Sequence, residues 1–321
     1  MGIPSGKVYY HFDLSAFMWI NRFSKRWMNL LGGLLKRWVF IMAIRIITDS
    51  TSDISQVQGE KMGITIVPLK VVFEDGEYLD GVTLTPDEFY QKLTVCNELP
   101  HTSQPAPEAF LKYFKEAKEA GDEVIVVPIS SKLSGTVQSA AVAKEQCGAD
   151  NVFIVDSLNA TIGLHLLIDI AVSMREEGKS AKEIVEALEA AKERVCLHIA
   201  ADTLEYLKKG GRLTKTAAFA GTLMGIKPLI GLEDGVVAVQ GKPRGMQRAL
   251  EDMIGLIDKN GGVDTSYPVY LGYAGDQETL APFQKFIQEK LPHVRLCTSP
   301  VGSVIGTHTG PGAHFIAYLK K

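Results

Sequence analysis

Hydroxyls, glycines, an arginine and a histidine recur along this chain in five short polar phrases, and together they are the ingredients of a receptacle for a small anion. The phrases are Thr48-Asp49-Ser50-Thr51-Ser52-Asp53, Thr102-Ser103-Gln104-Pro105, Ser130-Ser131-Lys132-Leu133-Ser134-Gly135-Thr136, Lys209-Gly210-Gly211-Arg212 and Gly306-Thr307-His308-Thr309-Gly310-Pro311-Gly312. Hydroxyls and backbone amides donate to a carboxylate or phosphate without carrying charge, and an arginine fork or an imidazole adds a stronger donor. None of the phrases spells a nucleophile or metal motif. GxxxxGK(S/T), HExxH and a complete GxGxxG are absent, and GxSxG fails at Ser134, where Lys132 and Thr136 stand in the glycine places. The pattern favours a chain that holds a carboxylate or phosphate over one that breaks covalent bonds.

Each phrase also has a plainer reading. Ser134, Gly135 and Thr136 follow a strand and open a helix, so their amides and hydroxyls can face an anion with the helix dipole behind them; alternatively Ser134 only caps that helix. Thr102 and Ser103 supply hydroxyls before a proline that restricts Gln104 to an extended backbone, which is also ordinary capping chemistry. Asp49 and Asp53 flank a hydroxyl cluster, and Asp53 can serve merely as a cap for the next helix. Arg212, after two glycines, and Arg244, in Gly241-Lys242-Pro243-Arg244, are candidates to clamp the anion or to remain surface charges. His308 sits among two glycines and two threonines that read as a loop, where its ring can donate to a carboxylate and titrate near neutral pH, or bond to local backbone. His314 falls in the last strand.

The elements that must position these groups alternate as strand and helix from Ile44 onward, which predicts an α/β fold of two domains, the first with a mainly parallel sheet and the second with a mixed one. Strands are expected at Arg45 to Thr48, Ile64 to Pro68, Leu69 to Phe73, Glu123 to Ile129 and Val152 to Val155. Helices are expected from Thr85, over Pro107 to Ala120, and after Ser134. Two more, Leu164 to Glu177 and Ala181 to Arg194, carry the chain into the second domain. There the expectations are a strand over Val195 to Ala200, a small-residue helix near Ala217 to Gly225, a hairpin turning at Glu233-Asp234-Gly235, helices over Gln247 to Lys259 and Thr279 to Leu291, a strand over Tyr267 to Tyr273 and two final strands. The expected domains are 42–163 and 164–321. Ligands in parallel sheets gather at the carboxyl ends of strands, so the phrases that follow strands should converge.

Composition sets the class. At 321 residues, with 46% hydrophobic and 22% charged residues, the chain has the makeup of a soluble globular protein. Residues 1–41 are foreign to the rest, holding all three tryptophans and six bases against the single acid Asp13. Without them the totals of 34 bases and 37 acids become 28 and 36, an acidic remainder with no nucleic-acid footprint. The segment is too broken by basic pairs to span a membrane; it reads as a basic amphipathic helix that touches a membrane surface transiently, or, more plainly, as a leader upstream of a start at Met42. The four cysteines stand far apart without zinc spacing, as reduced thiols of a cytoplasmic protein do.

Taken in order and spacing with Gly225-Ile226-Lys227-Pro228, the polar phrases make the chain from Met42 to its end resemble the DegV family of bacterial fatty-acid-binding proteins. The resemblance implies a long-chain fatty acid held between two α/β domains, with no other cofactor and no metal. It places the carboxylate on the hydroxyls of Thr102 and Ser134, the amide of Gly135 and the ring of His308, with Ser103 beside them and Arg212 and Arg244 acting around the head group or toward a partner. It further implies a non-catalytic protein that presents the acid to a separate ATP-binding kinase subunit, giving an acyl phosphate for phospholipid synthesis. Val137, His165 and Ala313-His314-Phe315 depart from the family pattern and bear on pocket shape and acyl preference. The rival readings are a free-standing hydrolase using Ser134 or Asp49 with His308, and a lipid-responsive regulator.

Overall fold

The computed structural model describes residues 43–213 and 225–321; the expected N-terminal amphipathic segment and the small-residue helix near Ala217 lie outside them. In chain order the elements are β1 (Ile44–Asp49), α1 (Gln56–Met62), β2 (Ile64–Val67), β3 (Lys70–Phe73), β4 (Gly76–Leu79), α2 (Pro86–Val95), β5 (His101–Ser103), α3 (Pro107–Ala120), β6 (Glu123–Val126), α4 (Thr136–Cys147), β7 (Val152–Ile154) and α5 (Thr161–Glu176). They continue through α6 (Ala181–Lys192), β8 (Val195–Ala200), α7 (Glu205–Lys209), β9 (Leu229–Glu233), β10 (Val236–Gly241), α8 (Met246–Lys259), β11 (Val269–Tyr273), α9 (Leu280–Lys290), β12 (Leu296–Pro300), α10 (Ser303–Thr309) and β13 (His314–Leu319).

The strands form a parallel sheet in the order β2-β1-β6-β7, a small antiparallel sheet β4-β3-β5, and a mixed sheet β10-β9-β8-β13-β11-β12 in which only the β11–β12 pair is parallel. Local sequence accounts for most boundaries. Ser55 with Gln58, Thr85 with Glu88 and Ser180 with Glu183 are reciprocal capping boxes, and Pro86 and Pro107 occupy first helical turns. Asp234 and Gly235 both have positive φ, the geometry of a tight hairpin turn, and join β9 to β10.

Alternation along the strands builds the layers. Ile47, Val124 and Val126 face one way and pack with Phe110, Phe114, Ala140 and Ala143 of α3 and α4. Ile46 and Ile125 face the other way, into the larger core that contains α5. In the mixed sheet Leu197, Ile199, Phe315 and Ala317 point into that same core, while Ile316 and Tyr318 face α8 and α9. Helix α5 packs against β1 on one side and β8, β11 and β13 on the other, so it fills the layer between the two large sheets. The expected domain boundary at residue 163 lies within its first turn.

One element departs from expectation. The stretch containing His308 is no loop: Ser303–Thr309 is a helix, with His308 in its last turn. Gly306, Thr307 and Thr309 argue against a helix by propensity alone, and tertiary contacts override them. Asp53 accepts the amide of Gly302 and Asp80 that of Ser303, both at 2.9 Å, so two carboxylates hold the amides that open α10. Thr307 and Thr309 bond back to the carbonyls of Ser303 and Ile305. Phe89 and Tyr90 press so closely on Gly306 that a Cβ there would lie within 2.6 and 2.7 Å of them.

Asp53 also accepts the hydroxyl of Thr161 in α5, and its backbone carbonyl takes Ser299 Oγ at 2.9 Å, while Ser55 rather than Asp53 caps the following helix. Burial raises Asp53 well above the usual carboxylate range and pushes Asp80 up to about 6. A folded-state value above the ordinary 3.8 means that the stability tied to Asp80 is complete below that value and is lost as pH rises through about 6. Asp80→Asn keeps an oxygen for the Ser303 amide and removes the charge. The variant should outlast the native protein at pH 8, by up to about 3 kcal/mol, with the gap closing by pH 4. Thermal or urea melts across that range check this, and a gap independent of pH would refute it.

Candidate functional site

In the layer shared by the two large sheets lies a cavity of about 320 Å³, at the lower end of the usual range for ligand pockets. Its body is apolar, made by Ile129 beyond β6, Leu197 and Ile199 of β8, Ile230 and Leu232 of β9, Val237 of β10, Leu207 of α7 and Val304 and Ile305 of α10. At one end polar groups collect: Thr102, Ser103, Gln104, Ser134, Gly135, Arg212 and His308. Arg212 is the one Arg, Lys, Asp or Glu among the described residues that line it.

The polar end is assembled from four separate elements. Thr102 belongs to β5, and its Oγ1 lies 2.9 Å from Nε2 of His308, which α10 brings from 206 positions further along the chain. Ser134 and Gly135 lead into α4 from the loop after β6. Gly135, not Ser134, is the N-cap, and the Ser134 hydroxyl pairs with that of Thr136 at 2.8 Å. Ser134 is therefore not consumed as a backbone cap. Arg212, beyond α7, donates from Nε to the carbonyl of Leu133 and from Nη1 to that of Gly210, at 3.2 and 2.6 Å. Its guanidinium straps the backbone on both sides of the cavity mouth while placing a positive charge there.

His308 is held from both edges. Its Nδ1 is buried without a protein partner and packs on Gly210, where a Cβ would stand 2.2 Å from that nitrogen. Gly210 has an ordinary negative φ, so glycine is required there for room and not for backbone conformation. Burial, followed by the positive charge of Arg212, pushes the imidazole down to about 4. A value so low leaves the ring neutral at neutral pH, against the expectation that it titrates there.

Other sequence candidates are placed elsewhere. Arg244 does not line the cavity; it is exposed and bridges to Ile226. Asp49 does not line it either: one carboxylate oxygen accepts from Thr51 and the other from the amide of Ile129, which ties the ends of β1 and β6 together. Neither pairing required by a hydrolase is present among the described residues, since His308 Nε2 faces Thr102 and the Ser134 hydroxyl faces Thr136. Sequence alone assigned no separate role to Gly210 or to the Gln104 side chain, both of which stand at the polar end. Glycine before Gly211 and Arg212 was the only signal for the first, and nothing in the chain pairs it visibly with a histidine nearly a hundred positions away.

A family model described as uncharacterised protein, DegV family, matches residues 43–321. The chain belongs to the DegV family. A DegV domain-containing protein of Caldanaerobacter subterraneus is 34% identical over 279 residues, covering 87% of this chain and 99% of that one. Among solved structures, a fatty-acid-binding DegV family protein from Thermus thermophilus is 36% identical with a TM-score of 0.79, covering 87% of this chain and all of that one. A stearic acid-binding protein from Eubacterium ventriosum is 32% identical with a TM-score of 0.78, covering 86% and 98%. Bacillus subtilis DegV, a fatty acid binding protein, is 32% identical with a TM-score of 0.77, covering 87% and 100%. The DegV match spans both sheets and all four elements that build the polar end.

The packing of His308 on Gly210 can be tested directly. Gly210→Ala should drive the ring off Thr102 toward solvent, so that its titration, followed by NMR of the imidazole protons in the ligand-free protein, moves up from below 5 toward the ordinary 6.5. An unchanged titration would show that the ring does not depend on that contact.

Proposed function

We propose that this chain binds one long-chain fatty acid, its tail in the apolar body of the cavity and its carboxylate at Thr102, Ser103, Ser134, Gly135 and His308, with Arg212 adjoining. The observation that carries the reading is the lining itself: an apolar chamber that ends, among the described residues, in uncharged donors and one arginine, without a carboxylate. Relatives named for fatty-acid or stearic-acid binding support it.

The energetics agree. Burying the methylenes of a chain of about 16 carbons at about 0.8 kcal/mol each yields about 12 kcal/mol gross, enough to outweigh the several kcal/mol that immobilisation costs. Affinity then comes mainly from the tail, and the head-group cradle supplies orientation. A buried carboxylate without partners would take up a proton; hydroxyls, an amide and an imidazole keep it anionic.

On this reading the chain is a carrier without catalytic activity of its own, residing in the cytoplasm. It presents the carboxylate to a separate ATP-binding kinase subunit, where a carboxylate oxygen attacks the γ-phosphorus, the bond to the β–γ bridging oxygen breaks and ADP departs, leaving an acyl phosphate for phospholipid synthesis. The anionic state matters because the carboxylate oxygen is the nucleophile. Arg244, exposed and away from the cavity, is assigned to the partner-facing surface. The division into domains at 42–163 and 164–321, and a transient membrane contact by residues 1–41, belong to the same proposal.

Lipid extraction and mass spectrometry of the purified protein test the reading, and co-purified fatty acid is the expected result. Ser134→Ala and His308→Ala should each lower fatty-acid occupancy by about tenfold with little change in melting temperature. An empty cavity together with turnover of acyl or phosphate esters would replace the carrier with the hydrolase, and full occupancy in both variants would show that the head group lies elsewhere.

A further inference from the structure

The polar end is built from parts carried by different sheets, and one side chain spans them. Thr102 stands on β5 of the small antiparallel sheet, whereas Ser134 and Gly135 lead into α4 behind the parallel sheet. Gln104, two residues after Thr102, lays its carboxamide on Gly135. Its Oε1, Cδ and Nε2 lie 2.0, 2.6 and 2.8 Å from where a Gly135 Cβ would be, and its Nε2 donates to the buried Ser139 Oγ at 2.9 Å. Pro105 restricts the Gln104 backbone, so the carboxamide reaches α4 from a constrained base. Gly135 has φ −76°, which any residue adopts, so a side chain there would meet the end of the Gln104 side chain and not a backbone restriction.

We propose that Gln104 is a positioning residue, a brace that sets the spacing between Thr102 and the Ser134–Gly135 side of the cradle and thereby governs the hold on a ligand's carboxylate. The inference rests on the fatty-acid reading above. Gln104 acts through the two groups it spaces, so its removal weakens capture of the head group and leaves the apolar chamber as it was. Gly135→Ala acts through the same contact, because the new methyl expels the carboxamide.

The test uses the full chain, stripped of lipid, with two probes that share a tail: hexadecanoic acid and 1-hexadecanol. Gln104→Ala should release the acid about tenfold faster and the alcohol at the native rate, with an unchanged melting temperature. Gly135→Ala should lose the acid to a similar degree, and the double variant should be no worse than either single one, the non-additivity expected of two residues that share one contact. Equal retention of the acid in native and Gln104→Ala proteins overturns the brace. So does loss of acid and alcohol by the same factor, which would make Gln104 part of the general wall. Native protein that takes up neither probe overturns the fatty-acid reading itself and the brace with it, a result distinct from any the variants give.

Discussion

Two buried carboxylates grip the amides that open a seven-residue helix, and the polar end of the cavity depends on that grip. Helix α10 has poor intrinsic propensity and is too short to be stable by itself. Asp53, at the end of β1, and Asp80, beyond β4, supply what it lacks, and in doing so they join the parallel and antiparallel sheets to the far end of the chain. His308 at the other end of the helix is thereby set against Thr102 and Gly210. The cost of keeping two carboxyl groups out of water shows in the upward displacement of both.

The architecture surrounding the grip explains why a cavity persists at all. Close packing is the default for protein interiors, so a chamber between two sheets must be propped open. Helix α5 lies in the layer between the sheets, and its first residue, Thr161, lines the cavity together with Ile129, Ile199, Ile230 and Val237. The hairpin of β9 and β10 is fastened across the layer by Ser130 Oγ, which donates to the carbonyl of Gly235 at 2.9 Å.

Much of this was legible in the sequence where the governing physics is local. Capping boxes, first-turn prolines and the Asp234-Gly235 turn are written within four residues, and the double-sided burial of β6 is visible as an unbroken apolar run. Resemblance to a family supplied Thr102, Ser134, Gly135 and His308 together, and the structure does bring them to one end of one cavity. What escaped was long-range. The helix around His308 owes its existence to Asp53, Asp80, Phe89 and Tyr90, none closer than two hundred positions. Gly135 was read for its amide and Gly210 only as part of the phrase before Arg212, and at each another side chain lies where a Cβ would be. Arg212 looked like an anion clamp and proves also to be a backbone strap, a role that no pattern of spacing could reveal.

The charge arrangement bears on how such a cavity discriminates among ligands. On the proposed reading, neutral donors beside one arginine would give a bound anion charge-assisted hydrogen bonds from a single cation. Discrimination then comes from what is left unpaired: a ligand ending in a methyl group would leave Thr102, Ser134 and His308 facing apolar surface, and a second positive charge in the ligand would meet Arg212. Burial and the positive charge of Arg212 depress the His308 imidazole to about 4, and an anion beside the ring would act in the opposite direction. On the proposed reading, occupancy and protonation at that ring would therefore favour each other.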